Sequence, residues 1–450
     1  MIDRPLGWFG IFRLGLVQAA IGAIVVLTTS TMNRIMVVEL ALPAVLPGAL
    51  VGLHYAVQFL RPVWGHGSDV STRRTPWIIG GVVTLAIGAV VASASIALMG
   101  ESTILGIVVA VLAFIMIGLG VGAAGTSLLS LLAERAGEDK RAGAATMVWL
   151  MMIGGIAITA VVAGKFLDPY SPERLVSIAA VVGALATLLT CVAMWKVERE
   201  ASAIRGRVDA PSSSHFSGFK AAVSEVWADV QARRFTIFVF VSMLAYSAQD
   251  LILEPFVGSV FGFTPGESTQ LSGVQHGGVF AGMLLVGVAG SGAMRRGGLG
   301  TWSIVGCLAS GATLLGLSVA SFQAPSWPIS MNVFALGFAN GAFAVAAIGS
   351  MMALAKGGRA KTEGVRMGVW GAAQAIAFGL GGFMGTVVVD LARALTASAV
   401  TAYAAAFFFE SLLFVASAVL ARGLMRNNER PSDRQWRSLP ELAGTQANKG

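Results

Sequence analysis

Apolar residues fall in long unbroken stretches rather than in alternation, and short polar or charged segments separate them. The stretches lie at about 11–32, 43–64, 77–99, 104–131, 143–164, 175–195, 235–258, 270–292, 300–320, 328–354, 367–390 and 398–421. About 20 helical residues, at a rise of about 1.5 Å each, cross roughly 30 Å of hydrocarbon. In lipid every backbone N–H and C=O must be satisfied within the segment, so runs of this length predict helices. A transmembrane barrel would instead alternate in segments of roughly 10 residues. The pattern predicts an all-α membrane protein with about twelve transmembrane helices. The N-terminal run continues past signal-peptide length and lacks a small-x-small cleavage site, so it is expected to be the first spanning helix.

Composition agrees with a bilayer as solvent. Of 450 residues, 56% are hydrophobic and only 12% charged, about half the charged share of a soluble domain. The net charge of +8 does not point to nucleic acid, because the basic residues concentrate in short connections between apolar runs. All lysines and arginines except Arg34, Lys165, Arg174 and Arg393 fall on one side of the predicted topology. By the positive-inside rule that side is cytoplasmic, with both termini on it. Cys191 and Cys307 lie inside apolar runs and read as packing residues, and no metal site of the chain's own is expected.

Four segments are expected: a six-helix half at 1–195, a cytoplasmic linker at 196–234, a second half at 235–421 and a mobile tail at 422–450. In the linker, Phe216, Phe219, Val223, Val226, Trp227 and Val230 share one helical face, with Lys220, Arg233 and Arg234 nearby. That pattern suits a helix on the lipid surface or one packed on the protein. The halves repeat one another. Arg73-Arg74 match Arg295-Arg296, Trp149 matches Trp370, and His54 matches His276, at offsets of 221 or 222 residues. A near-constant offset predicts two six-helix units related by an axis along the membrane normal.

Gly65-His66-Gly67-Ser68-Asp69 followed by Arg73-Arg74 resembles the loop between helices two and three of the major facilitator superfamily. The resemblance implies a cytoplasmic gate built on Gly65, Asp69, Arg73 and Arg74, in which the carboxylate pairs with arginine or caps a helix. Around Gly290 to Arg296 the second half lacks the Asp, so the gate would be asymmetric. Gly120-Val121-Gly122-Ala123-Ala124-Gly125 fits a dinucleotide fingerprint, but it stands inside an apolar run and reads as close helix packing. The pairs Gly118/Gly122, Gly337/Gly341 and Gly381/Gly385 read the same way. No P-loop lysine motif is present, so no nucleotide is expected.

Ionisable residues at membrane depth are costly and call for a partner, a cavity or a role. Helix one carries Asn33, Arg34 and Glu39. Helix seven carries Gln249, Asp250 and Glu254 beside Pro255. Arg34 could bridge to Asp250 or Glu254 across the central axis, or the group could form a ligand or proton site. His54 and His276 stand among small neighbours, where an imidazole could meet a flat macrocycle and bind its metal or could simply be hydrogen-bonded in the bundle. Gln18 and Gln374 could line a cavity or join helices. Glu410 could be paired internally or mark a partner contact. No catalytic constellation is readable, and no enzyme activity is expected.

The stretches Ile11-Phe12-Arg13-Leu14-Gly15-Leu16-Val17-Gln18, Thr31-Met32-Asn33-Arg34-Ile35-Met36-Val37-Val38-Glu39-Leu40, Pro43-Ala44 and Gly65 to Trp77 resemble the PucC/LhaA family. This is the bacteriochlorophyll-associated branch of the facilitator superfamily. The resemblance implies a protein of the bacterial inner or intracytoplasmic membrane that assists light-harvesting complex assembly. It would bind or deliver bacteriochlorophyll or a precursor as cargo, with antenna polypeptides and pigment-synthesis enzymes as partners. Arg34, Glu39, Asp250 and Glu254 would then bind polar edges of the pigment, and His54 or His276 its magnesium. The loop between helices two and three is shorter than expected for antenna-specific members. A second reading is a proton-coupled transporter of a small amphiphile, with Glu39, Asp250 or Glu254 carrying the proton. A third is a scaffold that keeps the fold without transport.

Overall fold

The computed structural model describes residues 6–61, 64, 68, 73–137, 140–198, 224, 227–290, 298–356 and 363–428. Most of the linker and nearly all of the tail lie outside them, as do Gly65, Asp69 and Arg295-Arg296. Twelve helices of ten or more residues stand among the described residues. They are α1 (Trp8–Glu39), α2 (Val45–Leu60), α3 (Thr75–Glu101), α4 (Thr103–Arg135), α5 (Arg141–Leu167), α6 (Pro172–Met194), α7 (Val230–Phe261), α8 (Pro265–Gly290), α9 (Leu299–Ala320), α10 (Ile329–Lys356), α11 (Glu363–Thr396) and α12 (Ala399–Asn428). All but α2 are long and apolar enough to cross a bilayer on their own, and the chain is a multi-pass membrane protein.

Packing follows the repeat. In the first half α1 lies on α5 and α6, α2 on α4, and α3 on α4 and α6. Adding six to each number gives the second half: α7 on α11 and α12, α8 on α10, and α9 on α10 and α12. The contacts between halves obey the same rule, with α2 against α11 and α8 against α5. Each half has its own apolar core. The cores exchange residues at one end, where Leu251 of α7 joins the first and Val37 and Ala44 join the second.

Glycines set how closely the helices approach. A Cβ on Gly337 or Gly341 of α10 would collide with the carbonyl oxygen of Gln275 or Val279 on α8. A Cβ on Gly118 would lie 2.7 Å from the His54 carbonyl, and one on Gly381 would collide with that of Leu244. The small-residue pairs therefore do bring backbones together, and Gly120 to Gly125 lies mid-helix in α4.

The sequence places α1 at 11–32, yet the helix runs to Glu39. It does so through two π-helical segments, Leu27–Thr31 and Ile35–Glu39. Thr28 and Thr29 both donate to the Val25 carbonyl at the start of the first, which loosens the regular ladder. The described contacts of α1 with α7 concentrate on this segment, so the two helices converge there.

Gly341→Leu is expected to destabilise the folded protein by about 1–3 kcal/mol through overpacking of α8 on α10. Thermal melting in detergent would show it. Gly287→Ala, at a position with no heavy atom within 4 Å of a Cβ, should melt as the parent does.

Candidate functional site: the polar seam between the halves

The seam begins with a proline. Pro255 stands inside α7 and has no N–H, so the carbonyl of Leu251, four residues earlier, loses its helical donor. Asn33 of α1, fully buried, supplies the missing bond: its Nδ2 donates to the Leu251 oxygen at 2.5 Å. Arg34 serves the far end of the same helix. Its Nη2 donates at 2.5 Å to the carbonyl of Phe263, just past Gly262, whose φ of +73° ends α7 in the left-handed conformation. Gly258 makes room, since a Cβ there would lie 3.0 Å from Arg34 Nε.

The charge of Arg34 is met by Glu39 and not by Asp250 or Glu254. The expected bridge across the axis is thus absent among the described residues. In a regular α-helix residues five apart point about 140° from each other. The π-helical segment at Ile35–Glu39 brings Glu39 round to the Arg34 side, a geometry that helical periodicity could not reveal. Arg34 is 2% exposed and Glu39 37%, so the pair has a buried and a solvent-facing member. Burial, with the Glu39 carboxylate nearby, pushes the hydroxyl of Tyr170 in the α5–α6 connection up to about 12. Thr31 and Thr269 join α1 to α8 at 3.0 Å, and Thr269 reaches Glu254 Oε2 at 3.5 Å.

Two carboxylates outside the sequence-predicted set complete the seam. Asp390, near the end of α11, accepts from the backbone N–H groups of Ala44 and Val45 at 3.0 and 2.7 Å, where α2 begins. Asp168, at the end of α5, accepts from Gly266 N–H at 3.0 Å and Thr264 Oγ1 at 2.6 Å, where α8 begins. Each ties one half to a helix start of the other, which suits free N–H groups and the helix dipole. Asp168 and Asp390 are 222 residues apart, as are Ala44 and Gly266. The same offset that matched the histidines contained this signal.

Deeper along α7, Asp250 is half-buried, while Gln249 is fully buried with neither amide atom hydrogen-bonded. Glu410 of α12 is 1% exposed, and neither carboxyl oxygen has a hydrogen-bond partner among the described residues. No internal pair for it is seen among the described residues. Tyr55 and Tyr246 approach Phe378 from opposite halves, with ring centroids 6.0 and 5.7 Å away. Gln18 donates to the Met152 sulfur at 3.2 Å, joining α1 to α5, and Gln374 is half-buried on α11.

The histidines differ although the sequence pairs them. His54 is buried, its Nε2 accepts from the Gln58 amide at 3.0 Å, and Arg61 in turn donates to Gln58 Oε1. His276 is half-buried and its Nδ1 lies 2.9 Å from the Ser272 carbonyl.

At the opposite, basic end, Arg74 joins parts of the first half to one another and to the start of the linker. Its backbone N–H donates to Glu198 at 2.8 Å, its Nη1 to Ser68 at 3.2 Å, and its Nε lies 3.3 Å from Glu134. Arg73 is exposed.

Comparison with known proteins decides the family. The model of the PUCC protein family matches residues 31–429. The chain belongs to the PucC family. It is 52% identical to the bacteriochlorophyll synthase 44.5 kDa chain of Rhodobacter capsulatus, over 93% of this chain and 96% of that one. It is 28% identical to protein PucC of Rhodobacter capsulatus, over 93% of each. Among solved structures, this PucC-family chain resembles a bacterial homologue of the human lysosomal transporter Spinster, in an inward-facing, unoccupied conformation. The TM-score is 0.67 at 15% identity, covering 95% of this chain and 100% of that one. A D-xylose-proton symporter gives 0.67 at 14% identity, covering 92% and 97%. The fold is that of the major facilitator superfamily, in two six-helix pseudo-repeats.

Removing both clamps, Asp168→Ala with Asp390→Ala, is expected to loosen the Arg34 end, each helix start losing about 0.5–2 kcal/mol. A cysteine at Ser30, which is buried in the parent, should then react roughly tenfold faster with a membrane-impermeant maleimide. Each single change should give less. An unaltered rate in the double variant would show that the clamps do not hold this end closed.

Proposed function

We propose that this PucC-family protein binds bacteriochlorophyll or a late magnesium precursor within the membrane and hands it to antenna polypeptides during light-harvesting complex assembly. Family membership across residues 31–429, with a 52% identical relative named for bacteriochlorophyll synthase, carries the reading. The geometry supports it through the arrangement of the halves. They are joined by buried polar contacts at the Arg34 end, while half-buried Asp250, His276 and Gln374 stand within α7, α8 and α11. A pigment ring needs apolar walls and a few polar anchors, and the seam between α5 and α8 offers apolar surface through Trp149, Met152, Ile156 and Phe280. The reaction that makes the pigment is left to other proteins, and this chain acts without catalysis. The basic end is assigned to the cytoplasm with both termini, in the inner or intracytoplasmic membrane. The motif Gly65, Asp69, Arg73 and Arg74 is assigned to a gate.

Protein purified from a pigmented phototrophic host should carry a chlorin absorption band, and a deletion strain should lose most of its antenna absorption. A pigment-free protein together with normal antenna levels would overturn the proposal.

One observation favours a second reading. Asp250, Glu254 and Glu410 place three carboxyl side chains at membrane depth in one half, and Glu410 has no hydrogen-bond donor among the described residues. A proton-coupled cycle of an amphiphile needs such groups. Substrate-dependent proton uptake into vesicles, lost in Asp250→Asn, would support it, and flux that persists in that variant would exclude Asp250 as the carrier.

A further inference from the structure

We infer that His276 alone of the repeat-related histidine pair is an axial ligand for a magnesium tetrapyrrole, and that His54 has been withdrawn from that role by Gln58. The inference rests on the pigment-binding reading above and deepens it by naming the atom. A backbone carbonyl can only accept, so the 2.9 Å contact between His276 Nδ1 and the Ser272 oxygen requires the proton on Nδ1. Nε2 of the neutral ring then carries a free lone pair. An imidazole whose far nitrogen donates to a backbone carbonyl is held in the tautomer and orientation that metal ligation requires. His276 Nε2 makes no hydrogen bond among the described residues, and its side chain is half-buried rather than sealed.

Space is present beside it. A Cβ on Gly277 would meet no heavy atom within 4 Å, whereas one on its neighbour Gly278 would collide with the Phe334 carbonyl. One side of α8 is therefore packed on α10 while Gly277 faces room. Phe280, one turn on, is placed against α5, where its ring edge lies 3.8 Å from a Cβ built on Gly154. His276 lies 11 residues into α8, about 16 Å from the helix start and so near mid-bilayer.

His54 offers the contrary arrangement. The residue four further on is Gln58 in the first half and Phe280 in the second, at the matched offset of 222. The amide of Gln58 donates to His54 Nε2, and the proton must then sit on Nδ1, which is buried without a partner. The lone pair that could meet a metal is already used, and the ring is 2% exposed.

The test uses purified full-length protein and two probes, magnesium chlorophyllide and its metal-free counterpart pheophorbide, titrated by absorption and circular dichroism. The parent should prefer the magnesium ring by roughly tenfold. His276→Ala should bring that preference close to one, and added imidazole should restore it. His276→Gln should lose it as well, and keeps a polar side chain should the alanine variant fold poorly. His54→Ala should retain it. Equal binding of both rings by the parent, a preference that survives both His276 changes, or a loss on His54→Ala would overturn the assignment while leaving pigment binding intact. If neither ring binds the parent, the proposed function itself falls and this assignment with it.

Discussion

A proline that removes a backbone donor in the middle of a buried helix creates a debt that another helix must meet. Lipid offers no water to the Leu251 carbonyl, so a donor has to come from the protein. Asn33 provides it. Once α1 is committed to that carbonyl, its next residue, Arg34, reaches the end of α7, and the π-helical turn beyond brings Glu39 to the Arg34 charge. The Asn33-Arg34 and Glu39 positions of the motif thus act as one device. They tie the first helix of one half to the first helix of the other, and they fix the end at which the halves close. The two aspartate clamps repeat that closure on either side of the axis.

Duplication explains the frame but not the chemistry. The packing order of α1–α6 recurs in α7–α12, and the helix-start clamps recur to the residue. The polar interior does not. Asp250, Glu254 and Glu410 all belong to the second half, and the matched histidines are given opposite hydrogen-bonding partners by Gln58 and Ser272. A symmetric shell with an asymmetric interior can present one ligand-binding side while both halves keep the same mechanical role.

Much of this was legible in the chain. Long apolar runs predicted all twelve helices, because a span needs uniform apolarity and little else. The 222-residue offset predicted the paired halves, and the small-residue pairs predicted close helix contacts that the carbonyl oxygens pressed on Gly337 and Gly341 bear out. The Arg34 partner was not legible, because the π-helical segment changes which residues face one another. Asp168 and Asp390 did not stand out because each lies at the end of an apolar run, where an acidic residue looks like ordinary punctuation. Their shared offset would have found them. The difference between His54 and His276 depends on tautomers set by neighbours four residues away, one a side chain and the other a backbone oxygen, and similarity of the two helices concealed it. The linker helix expected from Phe216 to Val230 and the gate residues Gly65 and Asp69 lie outside the described residues, apart from Ser224 and residues 227–230.

The coupling of Asn33 to Pro255 is the most direct test of how the halves are joined. A double-mutant cycle on stability in detergent, with Asn33→Ala, Pro255→Ala and the pair, measures it. The Pro255→Ala change restores an N–H to the Leu251 carbonyl. Asn33→Ala should therefore cost about 1–3 kcal/mol in the parent and close to nothing in the Pro255→Ala background. An equal loss in both backgrounds would contradict the account, since Asn33 would then be serving something other than the carbonyl that the proline sets free.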